Sequence, residues 1–133
     1  MHCNILPSIT FTPTAASFPF PPKRLFLSQS IKVPLESQTS KQASSDNGIF
    51  PPGLVSLSAP HAEVWIQGKH VIIRDRGSSY GTRVNGIRIE NQTLLQDGDI
   101  ITLGEQLSRS SGQRNASEVH LKPIEAVITI IGV

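Results

Sequence analysis

The sequence predicts an all-β chain, an antiparallel β-sandwich of about ten to eleven short strands. Three observations carry that expectation. Apolar runs are short and alternate with a period of two, turns bearing Gly or Asn-Gly separate them, and no window shows the 3.6-residue apolar stripe of a helix. Helix is therefore expected to stay below about 10% of the chain.

The densest run of these signals is Gly77 to Gly104, GSSYGTRVNGIRIENQTLLQDGDIITLG, with five glycines in 28 residues. Val84, Ile87-Arg88-Ile89, Leu94-Leu95 and Ile100 to Leu103 lie between Tyr80-Gly81, Asn85-Gly86 and Asp97-Gly98-Asp99. Glycine reaches positive φ without steric cost, and Asn nearly so, which makes each such pair a turn. Asn85-Gly86 between β-branched residues predicts a hairpin pairing Arg83-Val84 with Ile87-Arg88. Asp97-Gly98-Asp99 reads as a hairpin turn rather than a pair of catalytic carboxylates. The tip from Gly77 to Thr82 offers the hydroxyls of Ser78, Ser79 and Thr82, a phenol and several backbone amides, a surface suited to an anion.

The remaining elements follow in order. Residues 1–8 form a tail and 9–133 the domain. Ile9 to Thr12 alternates and is β-branched, which predicts an edge strand. Arg24 to Ser28 and Ile31 to Leu35 predict two strands about a Ser-Gln-Ser turn. Glu36 to Asn47 is polar and reads as a loop, and Pro51-Pro52-Gly53 as a turn. Ala62 to Gln67 places Ala62, Val64 and Ile66 on one face and Glu63, Trp65 and Gln67 on the other. Through Gln67-Gly68-Lys69 it pairs with His70 to Arg74. Glu105 to Ser117 reads as a polar loop, and Glu118 to Leu121 and Ile124 to Ile131 as closing strands.

Composition narrows the function classes. The chain of 133 residues carries a net charge of +2, and no basic cluster exceeds the pair Lys23-Arg24. Neither a nucleic-acid partner nor a membrane is expected. Trp65 and Tyr80 stand too far from other aromatics to form a stacking platform for single strands. The single cysteine, Cys3, excludes an internal disulfide and a cysteine zinc site, in keeping with an intracellular setting, nuclear or cytoplasmic. The first 22 residues hold five of the ten prolines and no Asp, Glu, Lys or Arg, unlike a secretory signal or an arginine-bearing presequence. There is no nucleophile–base pair, P-loop or His/Cys/carboxylate cluster, so no enzyme activity, cofactor or metal is expected. A small enzyme or a nucleic-acid binder is the remote alternative.

Ser78-Ser79-Tyr80-Gly81-Thr82-Arg83-Val84-Asn85-Gly86 followed by Leu95-Gln96-Asp97-Gly98-Asp99-Ile100-Ile101-Thr102-Leu103-Gly104 resembles the C-terminal half of a forkhead-associated (FHA) domain. The usual form there is Ser-Ser-Asn-Gly-Thr-x-Val-Asn-Gly, then Leu-x-x-Gly-Asp-x-Ile-x-Leu-Gly. Upstream, Ser58-Ala59-Pro60-His61-Ala62-Glu63-Val64 resembles the family's Ser-Arg-x-His-Ala-Glu-Val. The combination is specific where no single piece is. It implies a SMAD/FHA-like sandwich and a non-catalytic module whose partner is a protein or a phosphothreonine peptide.

The resemblance also carries residue roles. In the family, phosphate is held by the arginine of a Gly-Arg pair, by the serine of the Ser-x-x-His motif and by a hydroxyl of the polar loop. Here Ser58 matches the motif serine and Ser79 the loop hydroxyl. His61 matches the histidine that braces the loops, with Gly81, Thr82, Asn85 and Gly86 as structural support. The departures matter more. Glu36 stands for the glycine and Ser37 for the phosphate-binding arginine, Ala59 for the arginine after the motif serine, and Tyr80 for the loop asparagine. Each charge-assisted bond to phosphate contributes about 1.5–3 kcal/mol. Two missing cations therefore cost about 3–6 kcal/mol, on the order of 10²–10⁴ in affinity. Phosphate recognition is expected to be weakened or lost unless Lys41, Arg76 or Arg83 compensates. The alternative is a degenerate scaffold that binds its partner independently of phosphorylation.

Overall fold

The computed structural model describes residues 6–108 and 119–133. Among them the short alternating runs become eleven strands. In chain order these are β1 (Ser8–Pro13), β2 (Lys23–Phe26), β3 (Val33–Ser37), β4 (Ile49–Phe50), β5 (Ala62–Gln67), β6 (His70–Asp75), β7 (Thr82–Val84), β8 (Ile87–Arg88), β9 (Thr93–Leu95), β10 (Ile100–Leu103) and β11 (Ile124–Ile131). They form a six-stranded sheet, β2-β1-β11-β10-β7-β8, and a five-stranded sheet, β4-β3-β5-β6-β9. The predicted all-β sandwich is the observed one.

Period-two alternation builds the core. Ile9 and Phe11 of β1 and Ile124, Ala126 and Ile128 of β11 turn inward, as do Ile101 and Leu103 of β10. Leu35, Val64, Ile66, Val71 and Ile73 meet them from the other sheet. Burying each Ile, Leu, Val or Phe among these contributes about 1.5–3 kcal/mol before the ordering entropy is subtracted. The outward face of β5 is covered as well: Trp65 is buried under the Lys32 ammonium, which sits 5.0 Å from the ring centroid. Glu63 is buried beneath the guanidinium groups of Arg74 and Arg76.

Four local expectations need correction. Ile9 to Thr12 is not an edge strand, because β1 lies between β2 and β11 and pairs with β11 from Ser8↔Ile131 to Pro13↔Ala126. The pairing is not wholly antiparallel, since β3 and β4 run parallel through Glu36↔Ile49 and Ser37↔Phe50. Asp97-Gly98-Asp99 is a turn but not a hairpin: it carries the chain from β9 in one sheet to β10 in the other. Its carboxylates fasten neighbouring segments, with Asp99 accepting from Gln96 N and from the Asn85 side-chain Nδ2, and Asp97 from Ile130 N. Finally, Val119–Leu121 is a single 3-10 turn, not a strand. Glu118 and most of the predicted 105–117 loop lie outside the described residues, as does Cys3.

The hairpins β5–β6 and β7–β8 form as predicted, the latter with Arg83↔Arg88 and Val84↔Ile87. Asn85 and Gly86 adopt φ of 51° and 82°, the left-handed pair that a two-residue hairpin turn demands. Gly86→Val places a β-branched residue at positive φ and should cost about 1–2 kcal/mol. An unchanged thermal midpoint for that variant would contradict the strain.

The loop from Gln38 to Gly48 is held from beneath. The Lys23 ammonium, on a residue only 3% exposed, donates to Ser44 O and lies 4.9 Å from the Phe50 ring centroid. Burial lowers its pKa, and the nearby charge of Asp46 raises it by less.

Candidate functional site

Strand β3 ends where three loops meet. Its last residue, Ser37, donates its amide to Ser58 O at 3.2 Å, while Leu35 O accepts from His61 N at 3.3 Å. These bonds seat the segment from Ser56 to His61 beside the end of β3. The third loop, Arg76 to Gly81, is joined to this segment at two points. Arg76 N donates to His61 O at 2.8 Å, and Ser79 N donates to Ser58 Oγ at 3.2 Å.

His61 is the link between the loops. It is fully buried, its Nδ1 accepts from Ser58 N at 3.0 Å, and its Nε2 stands 2.8 Å from Gly81 O. A carbonyl can only accept, so Nε2 carries the proton and the ring is neutral. Burial pushes the His61 imidazole below its ordinary value, outweighing the hydrogen bond to Gly81 O and the charge of Asp75, which push it up. His61 thereby ties Ser58 to Gly81.

The third loop is folded around Asp75, a residue the sequence did not single out. Its carboxylate accepts from Gly77 N at 2.9 Å, Ser78 N at 3.0 Å, Ser78 Oγ at 2.6 Å and Thr82 Oγ1 at 2.7 Å. Burial alone would raise its pKa. The bonds from Ser78 and Thr82 side chains and from the Ser78 and Gly77 amides outweigh burial and hold it below the ordinary carboxylate value. Ser78 Oγ also accepts from Gly81 N at 2.9 Å, which closes the loop, and Gly81 turns the chain at φ 88°. Thr82 is fully buried, so its hydroxyl serves the fold and is closed to a ligand.

Residues 41–104 match the FHA domain family model. That matched segment, just under half of the chain, is similar to an FHA domain. Solved structures agree on the fold. The chain is similar to the FHA domain of the CT664 protein from Chlamydia trachomatis, with 22% identity and a TM-score of 0.56 over 75% of this chain and 90% of that one. It is similar to full-length yeast Pml1p, with 18% identity and a TM-score of 0.61 over 95% of this chain and 82% of that one. An FHA domain studied for phosphothreonine-dependent interactions matches with 20% identity and a TM-score of 0.56, over 92% of this chain and 95% of that one. No curated protein matches the sequence significantly.

Within this FHA-like fold, Ser37, Ser58 and Ser79 are gathered at one end of the sandwich by the bonds from Ser37 N to Ser58 O and from Ser79 N to Ser58 Oγ. Ala59 lies exposed beside Ser58, and Tyr80 is half-buried next to Ser79. Asn85 and Gly86 sit at the β7–β8 turn, where the Asn85 amide oxygen accepts from Ile100 N at 2.9 Å. They support the hairpin, not the loops directly.

Two of the three candidate compensating cations, Arg76 and Arg83, are already engaged. Arg76 pairs with Glu63 at 3.0 Å. Arg83 reaches Gly104 O at 3.4 Å and Glu105 at 3.7 Å. Lys41 shares a groove of about 290 Å³ with two carboxylates, Glu36 and Asp46. Among the described residues no group of three His, Cys, Asp or Glu side chains is placed to hold a metal, and no helix is long and apolar enough to cross a membrane.

Proposed function

We propose that this FHA-like domain is a binding module, not a catalyst, that holds a segment of a protein partner across Ser37, Ser58 and Ser79 with weak phosphate recognition. One observation carries the reading: three loops converge on hydroxyls at the end of β3, and Ser37 stands where a guanidinium is expected. Hydroxyls alone do not offset the dehydration of a doubly charged phosphoryl group. Glu36 adds a negative charge at the same strand end. A single cysteine in the sequence fits a reducing intracellular setting, nuclear or cytoplasmic.

The test joins position to charge. The natural chain should bind a phosphothreonine peptide little better than its threonine counterpart. The triple change Glu36→Gly, Ser37→Arg, Ala59→Arg should raise affinity for the phosphopeptide about tenfold or more and leave the threonine peptide unaffected. Calorimetric titration of both proteins with both peptides reads this directly. Tight phosphate-dependent binding by the natural chain, or no gain in a folded triple variant, would count against the proposal.

A further inference from the structure

The polar end has a cation that sequence reasoning did not consider. A Cβ placed on Gly81 would stand 2.8 Å from Arg88 Nε and 2.9 Å from its Cζ. The Arg88 guanidinium therefore lies against the side of the loop that glycine leaves bare. Gly81 is required for its φ of 88°, and its missing Cβ leaves the room that the guanidinium occupies.

Among the described arginines, Arg88 alone makes no ion pair, hydrogen bond or ring contact. Arg74 and Arg76 meet on Glu63, Arg83 meets Glu105, and Arg24 donates to Ser8 Oγ. Arg88 is exposed and lies directly opposite Arg83 in the β7–β8 register. Like charges facing each other across a strand pair cost stability, so the fold gains nothing from a guanidinium there. In the loop that Arg88 meets at Gly81, Tyr80 N and Ser79 Oγ have no hydrogen-bond partner among the described residues. An unpaired fork of N–H donors against a loop that also carries a free amide and a free hydroxyl fits an oxyanion.

We infer that Arg88 receives an anionic side chain, phosphoryl or carboxylate, of the segment bound at the polar end. The cation of the site then comes from β8 rather than from the end of β3. This rests on the peptide-binding reading above. A single exposed guanidinium gives discrimination smaller than the family's paired anchors would, in keeping with weak recognition.

The experiment is a titration of the isotope-labelled full chain with three pools of equal-length peptides, centred on phosphothreonine, glutamate and threonine. The expected result is movement of the Arg88 Nε–H and the Tyr80 and Gly81 amide resonances with an anionic pool and not with threonine. Comparing phosphothreonine with glutamate shows which anion is preferred. Arg88→Gln should weaken that binding about three- to tenfold and flatten its salt dependence, with Arg88→Lys between. If Ser37, Ser58 and Ser79 respond while Arg88 is silent and R88Q binds equally well, the Arg88 assignment is overturned and the binding module stands. If no pool moves any of these resonances, the reading of the polar end fails and takes Arg88 with it.

Discussion

Asp75→Ala should lower stability by about 2–4 kcal/mol, which for a chain of this size is roughly 10 °C in thermal midpoint. The carboxylate accepts four hydrogen bonds, and the donors differ in what happens after its loss. Gly77 is exposed and finds water at little cost, whereas the fully buried Thr82 hydroxyl is left without its acceptor. Bonds to a charged acceptor contribute about 1.5–3 kcal/mol each when buried, and partial exposure of this loop reduces the sum. The same change unties Ser78, which holds Gly81, so the loop carrying Ser79 should lose its shape. Thermal unfolding followed by circular dichroism, with amide exchange of residues 77–81, checks both consequences. A midpoint within a degree or two of the parent would refute the central role given to Asp75.

His61→Ala should cost about as much, 2–4 kcal/mol, for a different reason. It opens a cavity at a fully buried position and orphans Ser58 N, although Gly81 O keeps its bond from Gly104 N at 2.9 Å. The natural chain should also be acid-sensitive through this residue. Nδ1 must offer a lone pair to Ser58 N–H, and a protonated ring would oppose donor to donor. The folded-state pKa lies below the ordinary value of 6.5, so the unfolded chain takes up the proton first. Stability is then fully present above about pH 6.5 and falls as the pH drops through and below it. Asp75, also lowered, adds a second loss in the same direction below its ordinary value of 3.8. Denaturant midpoints between pH 7.5 and 5 should decline in the natural chain, and the decline should be smaller in a folded His61→Asn variant. Equal slopes would assign the acid sensitivity elsewhere.

Legibility in the sequence followed the range of the interaction that fixes each element. The β7–β8 turn was readable because Asn85-Gly86 encodes its two positive φ values locally. The β5–β6 hairpin was readable because its alternation and its turn lie within fourteen residues of each other. The interior place of β1 was not, since it depends on β11, which pairs Ser8 with Ile131. The parallel β3–β4 pair was missed because Ile49-Phe50 is too short to show a period. At the site, motif serines and the histidine were visible as residue types at fixed spacing. Asp75 was not, because one aspartate at a strand end looks alike whether it is solvated or accepts four bonds. Nor was Arg88, whose significance lies in what does not pair with it and in the bare side of Gly81.

The interior position of β1 has a kinetic consequence. β1 and β2 can pair early, but the other side of β1 stays open until residues 124–131 arrive. Bringing together partners more than a hundred residues apart imposes a loop-closure entropy before any contact rewards it. A topology dominated by such long-range pairing folds in the millisecond-to-second regime typical of β-sandwiches. Until β11 pairs with it, the β-branched, partly outward-facing Ile9-Thr10-Phe11-Thr12 segment presents an unpaired edge to any other chain with the same pattern. The strand that secures the finished sandwich is thus the one most exposed to mispairing while it forms.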